Sequence, residues 1–137
     1  MRLAASVAIV LITSCLVTKA IATECREDPE VVGQCFIAHG RIRVSASMLV
    51  ELWPIGTKRL FHIPYTEKDP EHYLPANMLA KLRYDNEVFG DFEICPLEPD
   101  RPGHMRDACI QSASRLFVRD LPAGTFILPS SPAGTPR

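Results

Sequence analysis

At 137 residues, with 15 basic and 16 acidic side chains and a formal net charge of −1, the chain has the length of one domain and no large charge excess of either sign. That balance argues against a nucleic-acid binder, which normally shows a basic excess or stripe. Five cysteines in so short a chain direct attention to disulfides instead.

The chain opens with Met1-Arg2 and an apolar run from Leu3 to Val17, followed by Thr18-Lys19-Ala20-Ile21-Ala22. Ala20-x-Ala22 suits signal peptidase, so residues 1–22 are expected to be a signal peptide cleaved after Ala22. The run is shorter than the ~20 residues a spanning helix needs, and Lys19 ends it, which disfavours a membrane anchor. Ile12-Thr13-Ser14-Cys15 offers an alternative, a loose lipobox in which Cys15 becomes a lipidated N-terminus. On either reading the chain is exported, to the periplasm or beyond. Loss of residues 1–22 removes Arg2 and Lys19 and no acid, leaving thirteen basic against sixteen acidic side chains, a net charge of −3.

Four cysteines remain: Cys25, Cys35, Cys95 and Cys109. An even count in a short exported chain implies a disulfide framework, with three possible pairings. Proximity in sequence favours Cys25 with Cys35 and Cys95 with Cys109, and a loop of roughly fifteen residues closed this way contributes about 3 kcal/mol. No C-x-x-C pair is present, which disfavours zinc.

Residues 23–34 are polar, carry Pro29, and read as an N-terminal arm that is loose unless Cys25 ties it down. The domain proper spans 35–121. Its first strand is expected at Gln34–Ser45, where Arg41-Ile42-Arg43-Val44 alternates and puts the two arginines on one face. Met48–Trp53 follows as a second strand and Lys58–Ile63 as a third, with a turn at Pro54-Ile55-Gly56-Thr57 between them. Leu74–Arg83 reads as a helix opened by Pro75, with Leu74, Met78, Leu79 and Leu82 on one side. The fourth strand is Val88–Pro96, with Phe92 and Ile94 as core candidates. The fifth lies between Met105 and Val118, with Ser112-Ala113-Ser114 marking a possible break. Residues 122–137 are rich in Pro, Gly and Ser and read as a tail, although Phe126-Ile127-Leu128 has the composition of a short strand. The order β-β-β-α-β-β predicts a mainly β domain, a small five-stranded OB-like barrel with one short helix, braced by disulfides.

The runs His39–Ser45, Trp53–Arg59, Val88–Leu97 and Pro102–Arg106 resemble those of small exported bacterial proteins of unassigned activity, over roughly residues 35–119. The resemblance implies an exported bacterial domain and carries no functional residues across.

Chemistry-bearing patterns are sparse. Asp69-Pro70-Glu71-His72 could form a hard-metal corner, but Pro70 makes it a turn, and such clusters are ordinarily solvated loop charges. Asp100, His104 and Asp107 surround the Pro102-Gly103 turn without a partnered nucleophile. No G-x-S-x-G, H-E-x-x-H or phosphate loop occurs, so no catalytic residue, metal site or cofactor is assigned. Asp91 and Glu93 read as two acids on a solvent-facing edge. Binding has more support: Arg41, Arg43, Lys58 and Arg59 form a basic patch beside Trp53, where an aromatic next to cations suits stacking on a sugar or base. The competing reading buries Trp53 in the core and leaves the arginines to solubilise a sheet face. The sequence therefore points to a binding or structural module of the bacterial cell envelope, with an envelope protein or a glycan as partner. The partner's identity stays unknown, nucleic acid is disfavoured, and a membrane is involved only if Cys15 is lipidated. Two alternatives remain: a small periplasmic hydrolase using His62 or His104 in acid-base chemistry, and a lipid-anchored accessory protein.

Overall fold

The computed structural model describes residues 24–123. The expected leader, Cys15 and the tail beyond residue 123 lie outside the described residues. A 3₁₀ turn at Cys25–Glu27 precedes β1 (Phe36–Val44), β2 (Val50–Pro54) and β3 (Phe61–Ile63). The single-turn helix α1 (Ala76–Leu79), β4 (Asn86–Pro96) and β5 (Arg106–Asp120) follow. Pairing runs β1-β2-β3-β5-β4 and returns from β4 to β1, so the five-stranded sheet forms a ring. All pairings are antiparallel except β3 with β5, which run parallel over Phe61↔Arg106 and His62↔Asp107.

Alternation along each strand sorts the side chains. Ile42, Leu52, Phe61, Ile63, Val88, Phe92 and Ile94 point inward and are buried. Leu74 and Met78, from the helical segment, join the same cluster. Each such burial is worth about 1.5–3 kcal/mol. The outward residues make a belt of mostly alternating charge in strict cross-strand register. Arg119 of β5 lies opposite Glu87, Glu87 opposite Arg43, and Arg43 opposite Glu51. Glu51 then faces His62, and His62 faces Asp107 on β5 again. Opposite charges placed this way each add roughly 0.2–1 kcal/mol.

The disulfide pairing differs from the one expected. Cys25 bonds Cys109 and Cys35 bonds Cys95, with Cα–Cα separations of 5.8 and 4.2 Å. Cys95 and Cys109 do face each other across β4 and β5. However, Cys35 stands one step before Phe36, which pairs with Ile94, so β1 delivers Cys35 to Cys95. The arm folds back over β5 and brings Cys25 to Cys109. It is held there by Arg26 Nε donating to Glu93 at 3.0 Å, Val32 N donating to Pro96 O at 2.7 Å and the Tyr73 hydroxyl donating to Glu30. Loops of 60 and 84 residues in sequence are each worth about 4–5 kcal/mol by chain entropy, more than the short loops expected.

Three further boundaries shift for local reasons. β3 begins at Phe61 rather than Lys58, because the Thr57 hydroxyl donates to Pro54 O and accepts from Arg59 N, holding residues 54–59 as a loop. The helix is one turn rather than ten residues. Asn86 accepts from Arg83 N and donates to Lys81 O, turning the chain before a second full turn forms. β5 is continuous through Ser112–Ser114 but bulged on either side. Gln111 is an extra residue between the Glu93↔Ser112 and Ile94↔Ile110 pairs, and Gly90 alone faces Arg115 and Leu116. Arg115 takes up the strain at a φ of 51°.

Two outcomes test this frame. Cys109→Ser removes a buried bridge and should cost about 2–5 kcal/mol in urea unfolding. Peptide mapping without reduction should recover the Cys25 and Cys109 peptides linked, and a Cys95–Cys109 link would contradict the fold. Gly90→Ala should also destabilise, by about 1–3 kcal/mol, because a Cβ there would lie 2.7 Å from Leu116 Cδ2 and 2.8 Å from the Ser114 carbonyl.

Candidate functional site

Five side chains singled out in the sequence come together on the outer face of β1 and β2 and the loop after β2. Arg41 lies opposite Trp53 in the β1–β2 register, which sets its guanidinium 5.0 Å from the centroid of the Trp53 ring. Trp53 is half-buried and outward-facing rather than a core residue. Its Nε1 donates to Thr57 O at 2.8 Å, which fastens the β2–β3 loop against the indole. Lys58 and Arg59 follow directly on that loop. Arg43 stands two register positions further along on the same face, 3.6 Å from Glu51. Together Arg41, Arg43, Glu51, Trp53, Lys58, Arg59 and Leu60 line a groove of about 340 Å³.

The basic character of this groove is largely offset from within the fold. Arg41 Nη1 is 3.3 Å from Glu87, whose side chain is only 1% exposed and which also takes Arg119. Arg59 pairs with Asp100 at 2.6 Å, tying the β2–β3 loop to the β4–β5 loop. Arg41 Nε is buried and finds no hydrogen-bond acceptor, so the guanidinium is held by Glu87 and the indole face with one donor unspent. A cation stacked on an aromatic, with hydrogen-bonding carboxylates alongside, can receive the apolar face of a ring while its hydroxyls meet charged partners.

A second hollow of about 520 Å³ adjoins the first and shares Lys58, Arg59 and Leu60 with it. Its far wall is the loop from Asp100 to Arg106. The sequence reading named Asp100 and His104 as turn residues and missed the loop's role as a wall. The cations Arg101 and Arg106 around Pro102-Gly103 were the available signal.

The remaining candidates separate. His62 Nδ1 lies 2.8 Å from Asp107 Oδ1, across the β3–β5 seam and outside both hollows. His104 occupies the exposed tip of the β4–β5 loop and lines the second hollow. His72 sits between Asp28 at 3.3 Å and Asp69 at 3.6 Å as an ion-paired loop residue. Among the described residues no group of three or more His, Cys, Asp or Glu is arranged to hold a metal.

Asp91 and Glu93 are not on an edge. β4 lies between β1 and β5, and both acids are covered by partners. Glu93 accepts from Arg26 and Ser112, while Asp91 accepts from Arg115 and lies 2.9 Å from His39 Nδ1. The hydrogen bond from His39 and the Arg115 guanidinium hold the Asp91 carboxyl below its ordinary value of 3.8, against an opposing desolvation effect. The chain matches no family model, no curated protein and no solved structure.

The depressed Asp91 carboxyl has a definite pH signature. The unfolded chain protonates Asp91 first, so its contribution is complete above about pH 4 and fades as pH falls through the lower folded value. Asp91→Asn should be less stable than the parent at pH 7 and should lose stability less steeply on acidification below pH 4. Urea midpoints across that range check both.

Proposed function

We propose that the protein is an exported, OB-like binding module of the bacterial envelope whose contact surface is the groove at Trp53. The strand order β1-β2-β3-β5-β4, with the helix between β3 and β4, supports the OB-like reading. In that architecture ligands are taken on the face of strands 2 and 3 and by the loops joining strands 1 to 2 and 4 to 5. The Trp53 groove shares strand 2 with that face but is displaced toward β1, and the adjoining hollow reaches the β4–β5 loop. Two disulfides are consistent with an oxidising, extracytoplasmic compartment, and the Ala20-x-Ala22 pattern adds to the case for export.

The observation that carries the reading is the convergence of Arg41, Arg43, Trp53, Lys58 and Arg59 on one groove, with Arg41 stacked on the indole. A half-exposed Trp flanked by four cations offers both contact area and directional donors, the composition of a recognition surface rather than of a spacer.

A second reading has one contact in its favour. His62 held by Asp107 at 2.8 Å has the geometry of an oriented base, which a hydrolase would use. Its position outside both hollows leaves the groove as the better-supported site.

Trp53 is the chain's one tryptophan, so its fluorescence reports on the groove alone. Titration with soluble envelope glycan fragments should give a saturable emission change. Lys58→Ala, a change at an exposed loop position with no ion-pair partner among the described residues, should weaken binding by about tenfold, the worth of one charge-assisted hydrogen bond. A flat titration across the panel, with the fold intact, would overturn the reading.

A further inference from the structure

The two hollows differ in how their charges are answered. In the Trp53 groove Arg41 meets Glu87 and Arg43 meets Glu51, while Arg59, which lines both hollows, meets Asp100 of the second. In the second hollow, among the described residues, Lys58, Arg101 and Arg106 meet no carboxylate at ion-pair distance. Arg106 Nε donates to the Glu98 backbone carbonyl, which takes up a donor and leaves the charge. His104 lines the same hollow. Three cations without a carboxylate partner thus line one cavity of about 520 Å³, an arrangement that suits an anion.

Resting on the groove being a binding surface, we propose that the ligand is an acidic glycan. Its sugar ring lies on Trp53, and its carboxylate or phosphate enters the second hollow between Lys58, Arg101 and Arg106. Lys58, Arg59 and Leu60 line both hollows, which places the two side by side within reach of one extended oligosaccharide. Guanidinium forks and an ammonium suit either oxyanion. A glycan fits better than a nucleic acid. Single-strand binders stack successive bases on several aromatics, whereas Trp53 is the one aromatic lining the first groove. Glu51 and Asp100, paired with Arg43 and Arg59, keep acceptor oxygens free for sugar hydroxyls along the two hollows.

The test follows Trp53 fluorescence with a uronate hexasaccharide, a phosphorylated mannose oligosaccharide, a neutral maltohexaose and single-stranded dT12, for the parent protein and for Lys58→Glu/Arg101→Glu. Both substituted residues are exposed loop positions, and an unchanged melting temperature confirms an intact fold. The expected result is that an acidic oligosaccharide binds at least about tenfold more tightly than maltohexaose, is weakened by salt, and loses that advantage in the double variant. A lead for the uronate names carboxylate as the anion, and a lead for the phosphorylated sugar names phosphate. Equal binding of maltohexaose overturns the anion assignment while leaving the groove in place. Silence with every probe overturns both, and preferential binding of dT12 overturns the glycan.

Discussion

The structure turns on Glu87. Its carboxylate lies under the outer surface of β4 and is answered from both sides, by Arg41 of β1 and Arg119 of β5. A buried charge stripped of its partners costs about 3–5 kcal/mol, and a one-residue slip of either flanking strand would remove one of the two cations that answer Glu87. Register, in turn, is what puts Ile42, Val88 and Phe92 inside and the charge belt outside. Because Arg41 is held at Glu87, its guanidinium stays over the Trp53 ring instead of exploring solvent. The groove therefore inherits its rigidity from an ion pair on the neighbouring strand.

Closure of the ring is less evenly supported. β4 pairs with β1 and with β5 over most of its length, whereas β3 meets β5 at only two register positions. The His62–Asp107 contact and the Arg59–Asp100 pair reinforce that seam, one on the strands and one between loops. The second hollow opens beside this seam, so its walls belong to the part of the ring with the fewest ladder hydrogen bonds. Loops placed on such a frame can adjust to a ligand at little cost to the core.

Much of this was readable from residues alone. Arg41-Ile42-Arg43-Val44 announces a two-faced strand, and the β-β-β-α-β-β order follows from where the turns and the one helical stretch fall. The five groove residues were found from composition, since Trp beside several cations is unusual on a sheet face. What stayed hidden depends on long-range register. Glu87 and Arg41 are 46 positions apart, and nothing local marks them as partners. Trp53 reads equally well as core until its cross-strand neighbour is known. The short helix was overread because the apolar spacing through Leu82 is helical, while the capture of Lys81 O and Arg83 N by Asn86 is a tertiary event. Cysteine pairing failed for a related reason, because each half-cystine lies near two others and only the folded arm decides between them.

That crossed pattern of bridges has a consequence for how the chain reaches its native state. Cys95 and Cys109 face each other as soon as the β4–β5 hairpin forms, and Cys25 and Cys35 are only ten residues apart. Both consecutive pairings are therefore accessible by local loop closure, which is fast, before the N-terminal arm has a surface to fold onto. An oxidant acting early would trap those pairs, and escape then requires thiolate attack and reshuffling on a timescale of seconds to hours. The crossed pairing is reached directly when ring formation precedes thiol oxidation, and only by reshuffling when oxidation comes first.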